Sequence, residues 1–271
     1  MTQTSQPNPA ETYEQYFVPA MFRPWAAVLL RHAAPKPGHA VLDIACGTGI
    51  VAREVASLVG AEGKVVALDV NPAMLTVAKG RPVTPGSMIE WQLGNAMSLP
   101  FADASFDLTL CQHGLQFFPD RAGAIREMHR VLKRDGRASV IVLQDLAKHP
   151  VFEAVIQSIS SHFSLPASAF AIPFALSSAE ELKNLFLSGG FEKVEVIPET
   201  TTVQFPNPER FVPLAVMSSA AAVPAFAQLE AEGRASLLQS VSAEVGSTVQ
   251  KYREGDAIVF PMYANVAIAA K

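Results

Sequence analysis

The sequence predicts an α/β fold, a mostly parallel seven-stranded sheet with helices on both faces, and three observations predict it. From about residue 38, short β-branched runs alternate with helical patterns, the order expected of βαβ units. The runs are apolar almost without interruption, as strands covered on both faces must be. The first run enters a glycine turn that opens straight into a helical pattern, VLDIACGTGIVAR at residues 41–53.

Strands are expected at 41–45, 65–69, 89–94, 106–111, 138–143, 191–197 and 263–270. Between them, Asn71-Pro72 supplies a helix N-cap followed by proline at the first helical position. Asp120 can cap a helix whose Ala124, Ile125, Met128, Val131 and Leu132 share one face before Gly136 ends it. A capping box from Ser178 to Glu181 starts a helix with Leu182, Leu185 and Phe186 on one side, and Gly189-Gly190 stops it. Residues 147–176 and 205–256 break the alternation and read as insertions, the second holding an amphipathic helix with Leu237, Leu238, Val241 and Val245. The expected organisation is an N-terminal helical cap at 1–37 and a cofactor-binding core at 38–146. A lid insertion at 147–176 follows, then core again at 177–205, a helical lid at 206–256 and a final core strand at 257–271.

With 271 residues, 49% apolar and 17% charged, the chain has ample material for one core and a pocket. The net charge is −4 and the Lys and Arg residues are scattered rather than clustered, so no basic footprint for a nucleic-acid backbone is present. Cys46 and Cys111 sit far apart in apolar strand contexts, and neither a disulfide nor a metal site is expected. The N-terminus lacks a basic start and an apolar run, and the stretch 213–226 is too short to span a bilayer and is broken by Pro224. A cytoplasmic chain acting on a small molecule is therefore expected; a homodimer stays an open option.

The glycine turn is the strongest local signal, and it reads two ways. Gly47, Gly49 and Ala52 satisfy G-x-G-x-x-A, and Asp69 ends the next strand, where a ribose hydroxyl would be bound, so NAD is allowed. Asp43, just before the turn, argues against it: a carboxylate repels a pyrophosphate but attracts the α-ammonium and sulfonium of S-adenosyl-L-methionine. Asp69 offers two acceptor oxygens to the two hydroxyls of one ribose. In LGNAMSLPF, residues 93–101, Asn95 would accept from the adenine amino group and the Ala96 N–H would donate to a ring nitrogen. A glycine turn alone can be mere geometry; acids and polar groups at successive strand ends are harder to explain so.

These residues resemble the class I methyltransferases, nearest the ubiquinone and menaquinone biosynthesis C-methyltransferases, over roughly residues 38–145. The resemblance implies that Asp43 to Gly49 hold the methionine part of the cofactor, Asp69 the ribose, and Gly94, Asn95 and Ala96 the adenine. Ala45, Val70, Met74 and Gln112 complete the implied contacts, with S-adenosyl-L-homocysteine as product. It also implies a Rossmann-like core closed by an antiparallel C-terminal strand between the fifth and sixth. Two departures stand out. Asn95 replaces an aspartate, and the usual glycine-rich turn after the fourth helix becomes Lys133-Arg134-Asp135-Gly136, taken as structural.

Gln112 and His113 follow the fourth strand, where methyl transfer would occur. His113 can serve as a base or only pack against and hydrogen-bond the cofactor, and no partner visible in sequence singles it out as a base. Tyr13, Tyr16 and Arg23, ahead of the first strand, are candidates to close on the methionine carboxylate; Tyr13 and Phe17 could equally staple an amphipathic helix. His149 and His162 are weaker candidates, and His129 lies on a helix surface. The insertions supply Phe152, Phe163, Phe170, Phe174, Phe211, Met217 and Phe226; most are expected to be core residues of small helices, and some to line a cavity for a small, largely apolar substrate. No Asn/Asp-Pro-Pro-Tyr run follows the fourth strand, which disfavours amino-group methylation of adenine or glutamine, and the shortage of cysteines disfavours arsenic chemistry. The rivals are an NAD-dependent oxidoreductase and a non-catalytic S-adenosylmethionine-binding protein.

Overall fold

A computed structural model describes residues 8–82, 85–220 and 223–271. The first seven residues of the expected N-terminal cap, and 221–222 of the second insertion, lie outside them. Strands are β1 (Ala40–Ile44), β2 (Lys64–Asp69), β3 (Ile89–Leu93), β4 (Phe106–Gln112), β5 (Leu132–Leu143), β6 (Lys193–Pro206), β7 (Arg253–Glu254) and β8 (Ala257–Ala270). Helices are α1 (Pro9–Thr12), α2 (Arg23–Ala33), α3 (Ile50–Val59), α4 (Pro72–Lys79), α5 (Arg121–Val131), α6 (Pro150–Phe163), α7 (Ala179–Ser188), α8 (Pro208–Ala220), α9 (Pro224–Ala227) and α10 (Ala231–Gln250). A π-helical stretch, Tyr13–Phe22, joins α1 to α2. Among the described residues no helix is long and apolar enough to cross a membrane.

The sheet order is β3-β2-β1-β4-β5-β8-β6, with β7 paired only to β8. Pairing from β3 through β5 is parallel, so Asp43 of β1 lies in register with Ala67 of β2 and Leu110 of β4. The last long strand runs the other way: Lys271 N–H meets the Gly136 carbonyl at the start of β5, and Gln144 N–H meets Tyr263 just past its end. This is the mostly parallel sheet with an antiparallel C-terminal strand, helices packed around it. Sequence order produces it because each parallel pair requires a crossover helix, and the glycine turns and proline caps start those helices on time. Asn71 caps α4 by accepting from Ala73 N–H, and Asp120 caps α5 by accepting from Gly123 N–H.

Three strands are longer than the sequence pattern indicated. β5 begins at Leu132, so Lys133-Arg134-Asp135-Gly136, read as a turn, is part of a strand; the ladder pairs Phe106 with Leu132 and Leu108 with Arg137, so the extra residues are taken up in a bulge. β6 continues past Pro198 because it is the terminal strand of the sheet, where a missing N–H costs no ladder bond. β8 starts six residues before the expected Tyr263.

The chain divides into two compact units. One holds residues up to Val142, Ala179–Glu199 and Asn265–Lys271; the other holds Leu143–Ser178 and Thr200–Ala264. The core of the first is built on Leu42, Ile44, Val65, Val66, Leu68, Leu108 and Leu110, all essentially sealed from solvent. In the second, Phe152, Phe174, Phe211 and Phe260 pack ring to ring among α6, α8 and β8, which makes most of the phenylalanines singled out in the insertions core residues. His149 belongs to that core as well. Its Nε2 accepts from Tyr263 N–H at 3.1 Å and its Nδ1 lies 3.0 Å from the Asp145 carbonyl, which fixes a neutral ring, and burial lowers its pKa.

Candidate functional site

The parallel strands β1 to β4 bring their carboxyl ends to one edge of the sheet, where ligands of open α/β sheets bind. At the end of β1 the chain turns through Ala45, Gly47 and Gly49, all at positive φ, and Gly49 then caps α3. Gly49 has no substitute: besides its φ of 85°, a Cβ there would lie 2.3 Å from the indole of Trp91. Gly94 is constrained likewise, since a Cβ would meet Leu68 at 2.7 Å.

Asp43 is 1% exposed, and its Oδ2 has no hydrogen-bond partner among the described residues. Burial pushes its pKa up to about 8, with the Asp69 charge adding to the rise. The carboxyl, read from sequence as a fixed negative charge, therefore keeps its proton near neutrality. Asp69 is held from both sides: Oδ2 accepts Gly47 N–H and Oδ1 accepts Asn71 N–H, each at 2.8 Å. Thr48 Oγ1 at the same turn is buried without a partner among the described residues. Cys46 and Cys111 are buried and free, and burial raises both thiols, Cys111 to about 12, so neither forms a thiolate near neutral pH.

The π-helical stretch reaches this turn. The Tyr13 ring lies 3.8 Å from where a Gly47 Cβ would be, and burial together with the Asp69 charge raises its phenol pKa. Tyr16 is half-buried in the same stretch. Arg23 is not brought to the turn: helical phase points it outward to an exposed pair with Glu54 at 2.7 Å. The arginine at the turn is Arg53, which the sequence reading did not single out. It is 7% exposed, donates to the Thr48 carbonyl, and meets Glu14 at 3.2 Å, with Arg81 3.7 Å from the same carboxylate. A buried arginine early in α3 carries no motif; only the apolar run around it hinted that this face is inside.

Along the edge, Val70 is 73% exposed after β2, an apolar side chain left bare beside Asp69. Met74 is half-buried on α4. Asn95 is exposed and spends its Oδ1 on Met97 N–H at 2.9 Å, an Asx turn that stabilises the loop, while Ala96 is buried. After β4, Gln112 donates Nε2 to the Phe22 carbonyl at 3.0 Å. His113 sits at φ 51°, its backbone N–H bonded to Ile141 and its ring against Phe22 and Trp25 at 5.9 and 5.8 Å. Outside this edge, His162 pairs with Glu244 at 3.0 Å, and His129 meets Phe191 edge to face. Among the described residues no cluster of His, Cys, Asp and Glu could hold a metal.

The model of the ubiE/COQ5 methyltransferase family matches residues 18–203. The chain belongs to that family. A 2-phytyl-1,4-naphtoquinone methyltransferase from Synechococcus elongatus is 37% identical over 123 residues, 45% of this chain and 53% of its own length. A ubiquinone/menaquinone biosynthesis C-methyltransferase, UbiE, from Xylella fastidiosa is 33% identical over 186 residues, 63% of this chain and 73% of its own. The chain thus spans about half the length of the first of these relatives. Among solved structures, the Bacillus subtilis YcgJ protein shares the fold with a TM-score of 0.58 at 20% identity, covering 91% of this chain and 97% of its own. A Haemonchus contortus N-methyltransferase solved with S-adenosylhomocysteine gives 0.58 at 19%, covering 97% of this chain and 56% of its own.

Proposed function

We propose that the chain transfers a methyl group from S-adenosyl-L-methionine to a carbon or oxygen of a small, largely apolar metabolite of quinol or phenol type, releasing S-adenosyl-L-homocysteine. One observation carries this reading over an NAD-dependent one. A backbone donor that a pyrophosphate would use at a glycine turn is already taken by an acid: Gly47 N–H donates to Asp69 Oδ2 at 2.8 Å, and the buried carboxyl of Asp43 stands just before the same turn. A dinucleotide would have to displace the Asp69 carboxylate and accept the Asp43 carboxyl beside its phosphates. The family relatives, named for quinone substrates, support the same choice.

The residues fit the methyl donor. Asp43 Oδ2 and Thr48 Oγ1 are buried acceptors with capacity left at the turn, suited to an α-ammonium. Each Asp69 oxygen holds one N–H and keeps room for one ribose hydroxyl. Exposed Val70 offers an apolar face to the adenine, and the Ala96 N–H is assigned to a ring nitrogen. The bound donor supplies an electrophilic methyl, which leaves the sulfonium as the acceptor atom attacks in line. The chain's contribution is alignment and exclusion of water. His113, wedged between Phe22 and Trp25, is assigned to packing beside the transferred group rather than to proton removal.

Calorimetry with S-adenosylhomocysteine and with NADH separates the readings: only the former should bind, and binding of NADH alone would overturn the assignment. Asp69→Ala should weaken S-adenosylhomocysteine by about 1.5–3 kcal/mol, roughly 10- to 150-fold. Turnover of a panel of quinols and phenols then distinguishes a transferase from a protein that only senses the cofactor.

A further inference from the structure

Three side chains around the end of β4 hold buried polar atoms without a hydrogen-bond partner among the described residues: Oε1 of Gln112, both amide atoms of Gln116, and the indole nitrogen of Trp25. Gln116 is 2% exposed and Trp25 fully buried. Each such atom costs about 1–3 kcal/mol, so a native chain keeps few of them, and a cluster calls for a reason. The two glutamines flank His113, whose ring touches Trp25. The turn between them is pressed onto the glycine loop: a Cβ on Gly114 would stand 2.7 Å from Cβ of Ala45.

Neighbouring groups fix both glutamines while leaving Gln112 Oε1 and the whole Gln116 amide without partners among the described residues. Gln112 is tethered through one Nε2–H to the Phe22 carbonyl, and its Oε1 stays a buried acceptor without a partner among the described residues. Gln116 lies on the short 3₁₀ turn Leu115–Phe117, and its main-chain carbonyl takes Arg121 Nη2 at 2.9 Å. Its side-chain amide keeps two donors and an acceptor, matched to a hydroxyl or a carbonyl on a ring.

We propose that Gln116, together with Gln112 Oε1, forms the subsite that recognises a ring oxygen of the methyl acceptor, and so selects quinols and phenols over rings of the same shape without oxygen. The proposal rests on the methyl-transfer reading above. A site whose buried polar groups expect a partner rejects an analogue that lacks one more strongly than an apolar pocket rejects a misfit. Gln116 thereby sets acceptor specificity, and the chain accepts the strain of unpaired amides when the subsite is empty.

The test is anaerobic calorimetry with saturating S-adenosylhomocysteine, titrating 2-methyl-1,4-naphthohydroquinone and, as its oxygen-free counterpart, 2-methylnaphthalene. Wild type should prefer the quinol by about tenfold or more. Gln116→Met should bring the two within about threefold, leave S-adenosylhomocysteine affinity unchanged, and keep or raise Tm, because an apolar side chain replaces an unpaired buried amide. A variant that keeps the wild-type preference, or whose Tm falls by several degrees, makes Gln116 a structural residue and overturns the proposal. So does a wild type that binds S-adenosylhomocysteine yet does not discriminate the two rings, with the methyl-transfer reading left standing. Failure of S-adenosylhomocysteine to bind wild type removes that reading first and this one with it.

Discussion

A carboxyl group sealed from water holds its proton, and Asp43 does so up to about pH 8. Its residue type and its place before the glycine turn were legible in the sequence; its protonation was not, because that depends on how completely α3 and β1 exclude solvent. A cationic ligand must therefore expel this proton on binding. Affinity for S-adenosylhomocysteine should rise about tenfold from pH 6 to pH 7, and flatten near pH 8, where the ligand-free protein has already lost the Asp43 proton. Asp43→Asn should remove that slope, and titrations in two buffers of different ionisation enthalpy should show the release of one proton in wild type alone. A wild-type affinity that does not change with pH would show that Asp43 does not meet the positive charge. Gly49→Ala probes the same turn by shape. It meets both a left-handed backbone and the Trp91 ring, and should cost about 2–4 kcal/mol in urea unfolding. Adding Trp91→Leu should restore only the steric share.

At the scale of elements, the chain ahead of β1 is a continuous helical run in which ten residues, Tyr13–Phe22, wind as a π-helix around Pro19. Its helical character could be read from the pattern; its winding could not, and winding decides which side chain faces the turn. This is why Arg23 was the natural candidate and Arg53 the residue found there. Glu14 is what ties the run down, through Arg53 and Arg81. Removing its charge leaves Arg53 partly unpaired in a nearly buried position, a change more costly than loss of a surface pair. Glu14→Gln should lower stability by about 2 kcal/mol and speed amide exchange across Tyr13–Phe22 at least about tenfold, with the strands of the sheet unchanged. Equal acceleration in β1 and β2 would mean that Glu14 supports the whole unit rather than this segment.

For the whole molecule, the mostly parallel α/β class was legible because apolar runs alternate with crossover helices, and the family resemblance supplied the reversed last strand between the fifth and sixth. The lengths of β5, β6 and β8 were not, since their extra residues alternate polar with apolar or contain a bulge and a proline, patterns that read as loop. The same division between pattern and environment governs the response of the fold to pH. Asp107 and Glu127 have lowered pKa values, the first through Lys133 and Ala40 and the second through Arg130, so their stabilisation is present above about pH 4.5 and lost as pH falls. Asp43 acts in the opposite sense. An unfolded aspartate gives up its proton near 3.8 whereas the folded one keeps it to about 8, so between those values the native state binds the extra proton and stability declines as pH rises. The decline is at most about 1.4 kcal/mol per pH unit for one proton. Urea unfolding of the ligand-free chain should thus give a midpoint that falls from pH 5 to pH 8. The midpoint of Asp43→Asn should fall far less over the same range, and saturating S-adenosylhomocysteine should flatten the wild-type curve by drawing the proton out of the native state. Parallel curves for wild type and Asp43→Asn would place the titrating group elsewhere in the fold.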